Sequence, residues 1–163
     1  MRKIFICILI VVEVLVSTYV GNNIIYANTT NKEVKMTSKS SNEFNWLPII
    51  NAIMEVESKG NPNIVSKDGK FVGVLQIQKI VVDDCNEYLQ LYLKQPNKKF
   101  AYDDRYDINK SIEMFILIQK RYNKSNDIEK AIRIWNGGNK YSIQKTQNYY
   151  DKVMQCYNKQ RVA

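Results

Sequence analysis

A single carboxylate, Glu57, has a position in the sequence that suits acid–base chemistry. Turning about 100° per residue from Trp46, as an α-helix does, places Glu57 near the middle of a broad apolar face. A carboxyl group in apolar surroundings is costly to ionise, so we expect its pKa to rise above the usual value of about 4.3. A carboxyl that keeps its proton is what a general acid requires. The apolar face consists of Leu47, Ile49, Ile50, Ile53, Met54 and Val56.

The position of Glu57 is also compatible with two structural roles, and Glu55 serves as a control for it. Glutamates also lie on apolar faces as boundary residues, or as partners in buried ion pairs, and either role remains open for Glu57. Glu55 points to the opposite side of the same predicted helix, where we expect solvent. The two glutamates therefore form a matched pair, one facing the core and one facing water.

The residues around Glu57 predict where its helix begins and ends. Asn45 is a suitable N-cap, and Pro48 falls in the first turn, where its missing N–H is harmless. Gly60 suits the position just past a helix end, and the segment 61–63, Asn-Pro-Asn, prevents continuation. We therefore expect a helix over residues 46–58 with Glu57 in its last turn.

Composition narrows the chemistry further. The 163 residues include no histidine, which excludes Ser-His-Asp and Cys-His nucleophile systems and His-ligated metals. The sequence also lacks a Gly-rich phosphate loop and zinc-type ligand spacing, so we expect neither cofactor nor metal. Hydrolysis by carboxylates remains compatible with the composition. A net charge of +8 favours an anionic partner, either nucleic acid, a membrane surface or an acidic cell-wall polymer.

The N-terminal 27 residues are typical of a signal peptide. Arg2 and Lys3 precede a continuous apolar run over residues 4–12, and a small residue, Ala27, suits a cleavage site. Glu13 would cost a membrane-spanning helix about 2.5 to 3.5 kcal/mol, although an uncleaved anchor stays open. We therefore expect an exported protein, located in the periplasm or cell envelope or secreted.

After this leader we expect a flexible tether over residues 28–43, which has almost no apolar side chains, and one folded domain over residues 44–163. Cys85 and Cys156 are the two cysteines left after leader removal. A disulfide between them and two separate buried thiols are equally compatible with the sequence.

Apolar periodicity predicts a mainly α domain. Further helices are expected over 76–93, after an N-cap at Asp107 or Asn109, from Asp127 to the Gly137-Gly138 pair, and over 145–158. Asp68-Gly69, between short β-branched runs, indicates a small hairpin or an extended loop.

Four separated segments resemble the lytic transglycosylases with a lysozyme-like domain. Glu57-Ser58 and Gly73-Val74-Leu75-Gln76-Ile77 resemble the family's Glu-Ser and Gly-Leu-Met-Gln-Ile motifs. Further along, Ile134-Trp135-Asn136-Gly137-Gly138 resembles Ala-Tyr-Asn-Ala-Gly, and the segment from Thr146 to Val153 resembles Thr-Arg-x-Tyr-Val-x-x-Val. Any one motif is weak, but four in register over residues 46–154 are specific.

The resemblance implies a lysozyme-like fold and roles for individual residues. Glu57 would be the single catalytic acid and base, with Tyr149 orienting it and Ser58 supporting it by a hydrogen bond. Gln76 and Asn136 would bind the sugar or its N-acetyl group. The four residues other than Glu57 also have purely structural alternatives. Tyr149 would be a core residue, Ser58 a helix cap, Gln76 a brace for its loop and Asn136 a turn residue.

This chain departs from the family motifs at four positions. Leu75, Trp135 and Gly137 replace methionine, tyrosine and alanine, and they keep the apolar or small character that suits a sugar groove. We therefore group Trp135 with the substrate-binding residues. Gln147 replaces the motif's arginine, which leaves the hydrogen bonding beside Tyr149 to be determined.

The resemblance implies cleavage of the MurNAc-GlcNAc β-1,4 bond of peptidoglycan to 1,6-anhydro products by one carboxylate. Hydrolysis in the manner of lysozyme is the first alternative and needs a second carboxylate. A non-catalytic binder of cell wall or nucleic acid, suggested by the charge and the 11 tyrosines, is the second. We expect a monomer that acts on glycan strands and does not bind nucleic acid. By analogy, we expect the protein to serve a secretion or conjugation machine. The acidic residues available as a second carboxylate are Asp68, Asp83, Asp84, Asp103, Asp104 and Asp107.

Overall fold

The computed structural model describes residues 43–162, and over this range the chain is mainly helical, as predicted. A π-helical turn, Tyr88–Tyr92, continues α2, and a 3₁₀-helix, Tyr102–Tyr106, precedes α3. The predicted signal peptide and all but the last residue of the predicted tether lie outside the described residues. The α-helices are α1 Leu47–Ser58, α2 Lys79–Glu87, α3 Ile108–Tyr122, α4 Ile128–Gly137 and α5 Ile143–Val162.

Helix α1 lies in the core and packs against α4 and α5. Asn45 accepts a hydrogen bond from the backbone N–H of Leu47 at 3.1 Å. The helix nevertheless begins at Leu47 with Trp46 at the N-cap, so the predicted start was one residue too early. Most of the predicted apolar face is buried, but Val56 is half-buried and Leu47 is 51% exposed. Leu47 lies at the edge of that face and in the first turn, so no neighbouring helix covers it. The buried residues of α1 are Ile49, Ile50, Ala52, Ile53, Met54 and Ser58.

The C-terminal end of α1 places Glu57 in the last turn, as predicted. Lys59 adopts the left-handed conformation with φ of 53°, one residue earlier than the expected glycine, and Gly60 follows with φ of 76°. Their backbone N–H groups donate to the carbonyl oxygens of Glu55 and Met54. The chain therefore turns sharply away directly after the candidate acid.

The segment between α1 and α2 is a loop with minimal β-structure. A turn at Asp68-Gly69 is confirmed by Gly69, with φ of 72°, and by the backbone hydrogen bond from Ser66 to the Phe71 carbonyl at 2.9 Å. Val72 forms isolated antiparallel bridges with both Val65 and Ile77. Of the two predicted forms, the extended loop describes this segment better than a regular hairpin.

Helix α2 begins at Lys79, three residues later than the apolar spacing predicts. The reason is Gln76, whose φ of 50° places it in the left-handed region, which a right-handed helix cannot include. The motif containing Gln76 is therefore part of the loop that precedes α2.

The later helices begin where acidic caps predict. Asp107, rather than Asn109, accepts a hydrogen bond from the backbone N–H of Lys110 at 3.0 Å and caps α3. Asp127 caps α4 by the same contact with Lys130 at 2.6 Å. Helix α5 is longer than predicted at both ends and packs along α1 and α4. Among the described residues, no helix combines the length and apolar character needed to cross a membrane.

The two cysteines are free, so the disulfide interpretation is wrong. Cys85 is buried between α2 and α3, where its thiol lies 3.5 Å from the Met114 carbonyl oxygen, and burial raises its pKa well above the usual range. Cys156 is half-buried on α5, and its pKa is raised by burial and by the charge of Glu55 on α1. The two thiols face different helices, and the alternative of two separate thiols fits the structure.

Candidate active site

A cleft of about 1100 Å³ opens beside the end of α1. Its wall includes Glu57, the loop residue Gln76, one side of α2, and the last turn of α4 with Trp135 and Asn136. Three of the four segments singled out in the sequence thus contribute to one surface, although the second and third are separated by more than fifty residues. The fourth segment, on α5, lies directly behind Glu57.

Glu57 is half-buried at this cleft, whereas Glu55 is exposed on the other side of α1. Burial raises the pKa of Glu57, as predicted, because the charged carboxylate loses hydration. A hydrogen bond from Tyr149 acts in the opposite direction, since it stabilises the carboxylate, but burial is the larger effect. The side chain can therefore hold a proton at a higher pH than an exposed glutamate.

Tyr149 reaches Glu57 from α5, and its hydroxyl donates to Glu57 Oε1 at 2.6 Å. Burial, followed by the charge of Glu57, raises the pKa of the phenol well above its usual range. The phenol therefore remains protonated and acts as a donor over the whole physiological pH range. The structure brings together these two predicted site residues, which are 92 positions apart.

Ser58 does not make the hydrogen bond to Glu57 that the resemblance implies. Its side chain is buried, and its hydroxyl donates to the Val74 carbonyl at 2.7 Å and lies 3.2 Å from the Met54 carbonyl. The single hydroxyl proton is thus used by main-chain oxygens. The contact with Val74 fastens the loop to the end of α1, so the structure corrects Ser58 from a partner of Glu57 to a brace for the cleft loop.

Gln76 lines the cleft and also braces its own loop. Its side-chain N–H₂ group donates to the carbonyl oxygens of Gly73 at 2.9 Å and Ile64 at 3.3 Å. The amide oxygen accepts no hydrogen bond from any residue in the described part of the chain. The loop-bracing alternative and the binding role are therefore compatible, because they use different atoms of one side chain.

Trp135 and Asn136 occupy the last turn of α4. Trp135 is half-buried, its indole N–H donates to the Leu75 carbonyl at 3.2 Å, and its ring centroid lies 5.0 Å from that of Phe115. Asn136 is exposed and lines the cleft. Trp135 thus joins α4 to the cleft loop, and its neighbour presents a carboxamide to the open space.

Sequence reasoning named Asp83 and Asp84 only as candidates for a second carboxylate. It missed that they form, together with Glu87, an acidic wall that α2 contributes to the cleft. Asp84 pairs with Arg121 at 2.8 Å and accepts from the Tyr122 hydroxyl at 3.0 Å, while Glu87 also pairs with Arg121 at 2.8 Å. The spacing of four residues between Asp83 and Glu87 on a predicted helix was the available signal. Because their orientation depends on how α2 packs, that signal alone did not indicate the cleft.

Apolar side chains at the mouth of the cleft were also missed. Ile80 on α2 and Phe71 in the loop are substantially exposed, and both line the cleft. Exposed apolar surface at a pocket mouth suits contact with the non-polar faces of sugar rings.

Within residues 43–162, no three His, Cys, Asp or Glu side chains lie close enough together to hold a metal ion.

A mainly helical domain with one half-buried glutamate, held by a tyrosine at the edge of a cleft, is the arrangement of a lysozyme-like enzyme. The chain belongs to the Transglycosylase SLT domain family, whose sequence model matches residues 35–158. This is the family of lytic transglycosylases, which are peptidoglycan glycosidic bond lyases. No curated protein and no solved structure matches the chain at the threshold of the comparison.

Proposed function

We propose that Glu57 is the single acid and base with which this lytic transglycosylase cleaves the β-1,4 bond between MurNAc and GlcNAc, with a 1,6-anhydro product. The observation that supports this proposal best is the contact between Glu57 and Tyr149. It joins a carboxyl group whose pKa is raised by burial to a phenol that cannot take its proton, at the edge of a cleft large enough for sugars.

The reaction needs one proton to move out and one to return. Protonated Glu57 gives its proton to the glycosidic oxygen as the bond to C1 breaks and the sugar becomes oxocarbenium-like. The C6 hydroxyl oxygen of the same sugar then bonds to C1, and its proton passes to the Glu57 carboxylate. Because Tyr149 occupies Oε1, we assign proton transfer to Oε2.

Substrate contacts are assigned to the residues that the cleft exposes. The free amide oxygen of Gln76 is placed to accept an N–H from an N-acetyl group, and the carboxamide of Asn136 can both donate and accept. Trp135 contributes apolar surface to the same cleft. Ser58 acts only by holding the loop that carries Gln76.

Hydrolysis is the second candidate, because the structure places Asp83 and Asp84 on the wall of the same cleft as Glu57. An inverting glycosidase would use such a carboxylate to activate water. Asp84 is already bound by Arg121 and Tyr122, and Asp83 accepts a hydrogen bond from the Tyr102 hydroxyl at 3.0 Å. These existing partners favour a structural role for both, so we place hydrolysis second.

Mass spectrometry of the muropeptides released from purified sacculi by the full chain tests this choice. We expect 1,6-anhydro ends, and we expect Asp83→Asn to cleave at close to the normal rate. Reducing ends that carry oxygen from ¹⁸O-labelled water, together with loss of cleavage in Asp83→Asn or Asp84→Asn, would establish hydrolysis instead.

We also propose that the enzyme acts outside the cytoplasm, in the periplasm or cell envelope or after secretion, as a monomer. This location is supported by the predicted leader and by the position of peptidoglycan outside the cytoplasmic membrane. Local opening of the wall for a secretion or conjugation apparatus is the cellular role that we assign by analogy. N-terminal sequencing of the exported protein tests the leader, with Asn28 expected as the first residue.

A further inference from the structure

Arg133 on α4 is a buried charged residue that the proposed reaction does not use. Its side chain is 3% exposed, and its guanidinium joins two helices. Within α4 it pairs with Glu129 at 2.7 Å. Its other contacts all lie on α5, so most of its N–H donors bind the neighbouring helix.

The contacts on α5 lie in its first two turns. Arg133 Nη1 donates to the Ile143 carbonyl and to Thr146 Oγ1, both at 3.0 Å, and Nη2 donates to Gln147 Oε1 at 2.8 Å. The guanidinium also lies 4.6 Å from the centroid of the Tyr150 ring. A planar fork with several fixed donors sets both the position and the rotation of the helix that it grips.

The first turn of α5 is separated by less than one helical turn from the residue that touches Glu57. Tyr149 follows Thr146 by three positions, so a shift or rotation at Thr146 moves the phenol by a similar amount. The phenol lies 2.6 Å from Glu57 Oε1, and hydrogen bonds of this kind weaken rapidly outside about 2.5 to 3.0 Å. Displacement of the helix start by about 1 Å is therefore enough to lose the contact.

The identity of residue 147 adds a second observation. Gln147 stands where the family motif has an arginine, and in this chain its amide oxygen is bound by Arg133 while its N–H₂ group donates to Asp151 at 2.8 Å. A guanidinium group from α4 thus lies beside the position where the family motif has its own arginine. This arrangement accounts for the departure from the motif.

We infer that Arg133 is a positioning residue that holds the first turn of α5 so that Tyr149 stays bonded to Glu57. The inference rests on the proposed roles of Glu57 and Tyr149. Arg133 touches no substrate in this account and acts only through α5. Its removal therefore reproduces the kinetic effect of losing the phenol.

The experiment compares Arg133→Met, Tyr149→Phe and the double variant in the full chain, with soluble peptidoglycan strands as substrate. We expect each single variant to lower kcat by about 10- to 100-fold with little change in KM, as a misplaced catalytic group does. Loss of the phenol contact also raises the pKa of Glu57, so the alkaline limb of the pH profile moves to higher pH in both. In the double variant, Arg133→Met adds less than about twofold, because the two act as one unit.

Gln147→Met and Arg161→Met complete the design. Gln147→Met removes one contact of Arg133 without unfolding the core. We expect it to move the alkaline limb of the pH profile to higher pH, by less than Arg133→Met does. If Arg133→Met fails to fold, Gln147→Met is the variant that tests the role of Arg133. Arg161 is an exposed arginine near the end of α5 that stacks on Tyr157, so Arg161→Met should leave the rate and profile unchanged.

Each contrary outcome identifies what failed. If Tyr149→Phe has normal kcat and a normal pH profile, the proposed role of the phenol is wrong, and the inference is overturned with it. If Tyr149→Phe is impaired but folded Arg133→Met or Gln147→Met is normal, only the inference is overturned. A lower melting temperature with an unshifted profile, or additive losses in the double variant, would make Arg133 purely structural and also overturn it.

Discussion

At the residue scale, the proposed chemistry depends on Glu57 having an uncharged hydrogen-bond partner. Glu57 is held by the phenol of Tyr149, while Asp84 on the same cleft is held by the guanidinium of Arg121. A cation beside Glu57 would favour the carboxylate, whereas a buried position with a neutral donor still favours the acid. The pairing therefore supports the proposal that Glu57 transfers the proton.

Replacement of Glu57 by glutamine tests that assignment. The amide keeps the size of the side chain and can still accept from Tyr149, but it has no acidic proton to give. We expect Glu57→Gln to lower the rate of muropeptide release by about 10²- to 10⁴-fold, which is the usual contribution of a general acid. Glu55→Gln, on the exposed side of α1, should keep nearly full activity, as measured by turbidity loss of sacculi. Substantial turnover by folded Glu57→Gln would contradict the mechanism.

The same variant has a predictable effect on stability. The folded-state pKa of Glu57 is raised, so protonation favours the folded protein, and its contribution is fully present below the unfolded pKa and lost as pH rises through the folded pKa. We expect Glu57→Gln to match the wild-type melting temperature near pH 4 and to equal or slightly exceed it near pH 7. A melting temperature that falls in Glu57→Gln at pH 7 would indicate a buried ion pair instead.

At the element scale, the cleft loop between α1 and α2 is held in place by groups outside it. Arg105 is buried, and its guanidinium donates to the carbonyl oxygens of Ile77 at 3.2 Å and Lys70 at 3.4 Å. Ser58 holds the Val74 carbonyl from the other side. These contacts stabilise a backbone that includes Gln76 in a left-handed conformation.

Gly73 is the position where this loop tolerates no side chain. Its φ is 80°, and a Cβ atom there would lie 1.8 Å from the Arg105 carbonyl oxygen. We expect Gly73→Ala to reduce the free energy of unfolding by at least about 2 kcal/mol and to lower activity, because the loop that carries Gln76 must move. Urea denaturation measures the first effect and muropeptide release the second.

Gly69 provides the matched control for this substitution. It has a similar φ of 72°, but a Cβ there would meet nothing within 4 Å. Gly69→Ala should therefore show only the backbone strain of about 1 to 2 kcal/mol, with nearly normal activity. Equal costs and equal activities for the two variants would show that the contact with Arg105 does not matter.

At the scale of the whole molecule, charge is distributed unevenly. The chain carries a net charge of +8, yet the described residues that line the cleft include Glu57, Asp83, Asp84 and Glu87 and no lysine or arginine. Among the described residues, the side chains that line the cleft are therefore acidic or uncharged. We interpret the net positive charge as an attraction to the anionic wall, while the cleft binds the largely uncharged glycan strand.

Removal of the predicted tether tests where the folded domain begins. A chain that starts at Phe44 should fold and should cleave soluble glycan strands normally, since residues 28–43 have almost no apolar side chains to bury. It loses the exposed ion pair between Glu43 and Lys120, which contributes at most about 1 kcal/mol. Circular dichroism and a melting curve measure the fold. An unfolded product would place the boundary further upstream, within the family match that begins at residue 35.

Local interactions explain what the sequence determined by itself. The caps at Asp107 and Asp127, the turn at Asp68-Gly69 and the stop after α1 each depend on residues within a few positions of one another. The turn, the cap at Asp127 and the last residue of α1 were predicted correctly, and Asp107 was one of two predicted caps. The apolar stripe of α1 likewise predicted the burial of Glu57 and the direction of its pKa shift. The family motifs then indicated which distant residues accompany it.

Contacts between distant elements were decided only by the tertiary structure. The phenol of Tyr149 meets Glu57 because α5 packs along α1, and the Ser58 hydroxyl turns to Val74 because the cleft loop closes over it. The acidic wall of α2 and the separation of the two cysteines depend on the same packing. Periodicity assigns a side chain to one face of its own helix, but which neighbour covers that face depends on how all the helices pack together.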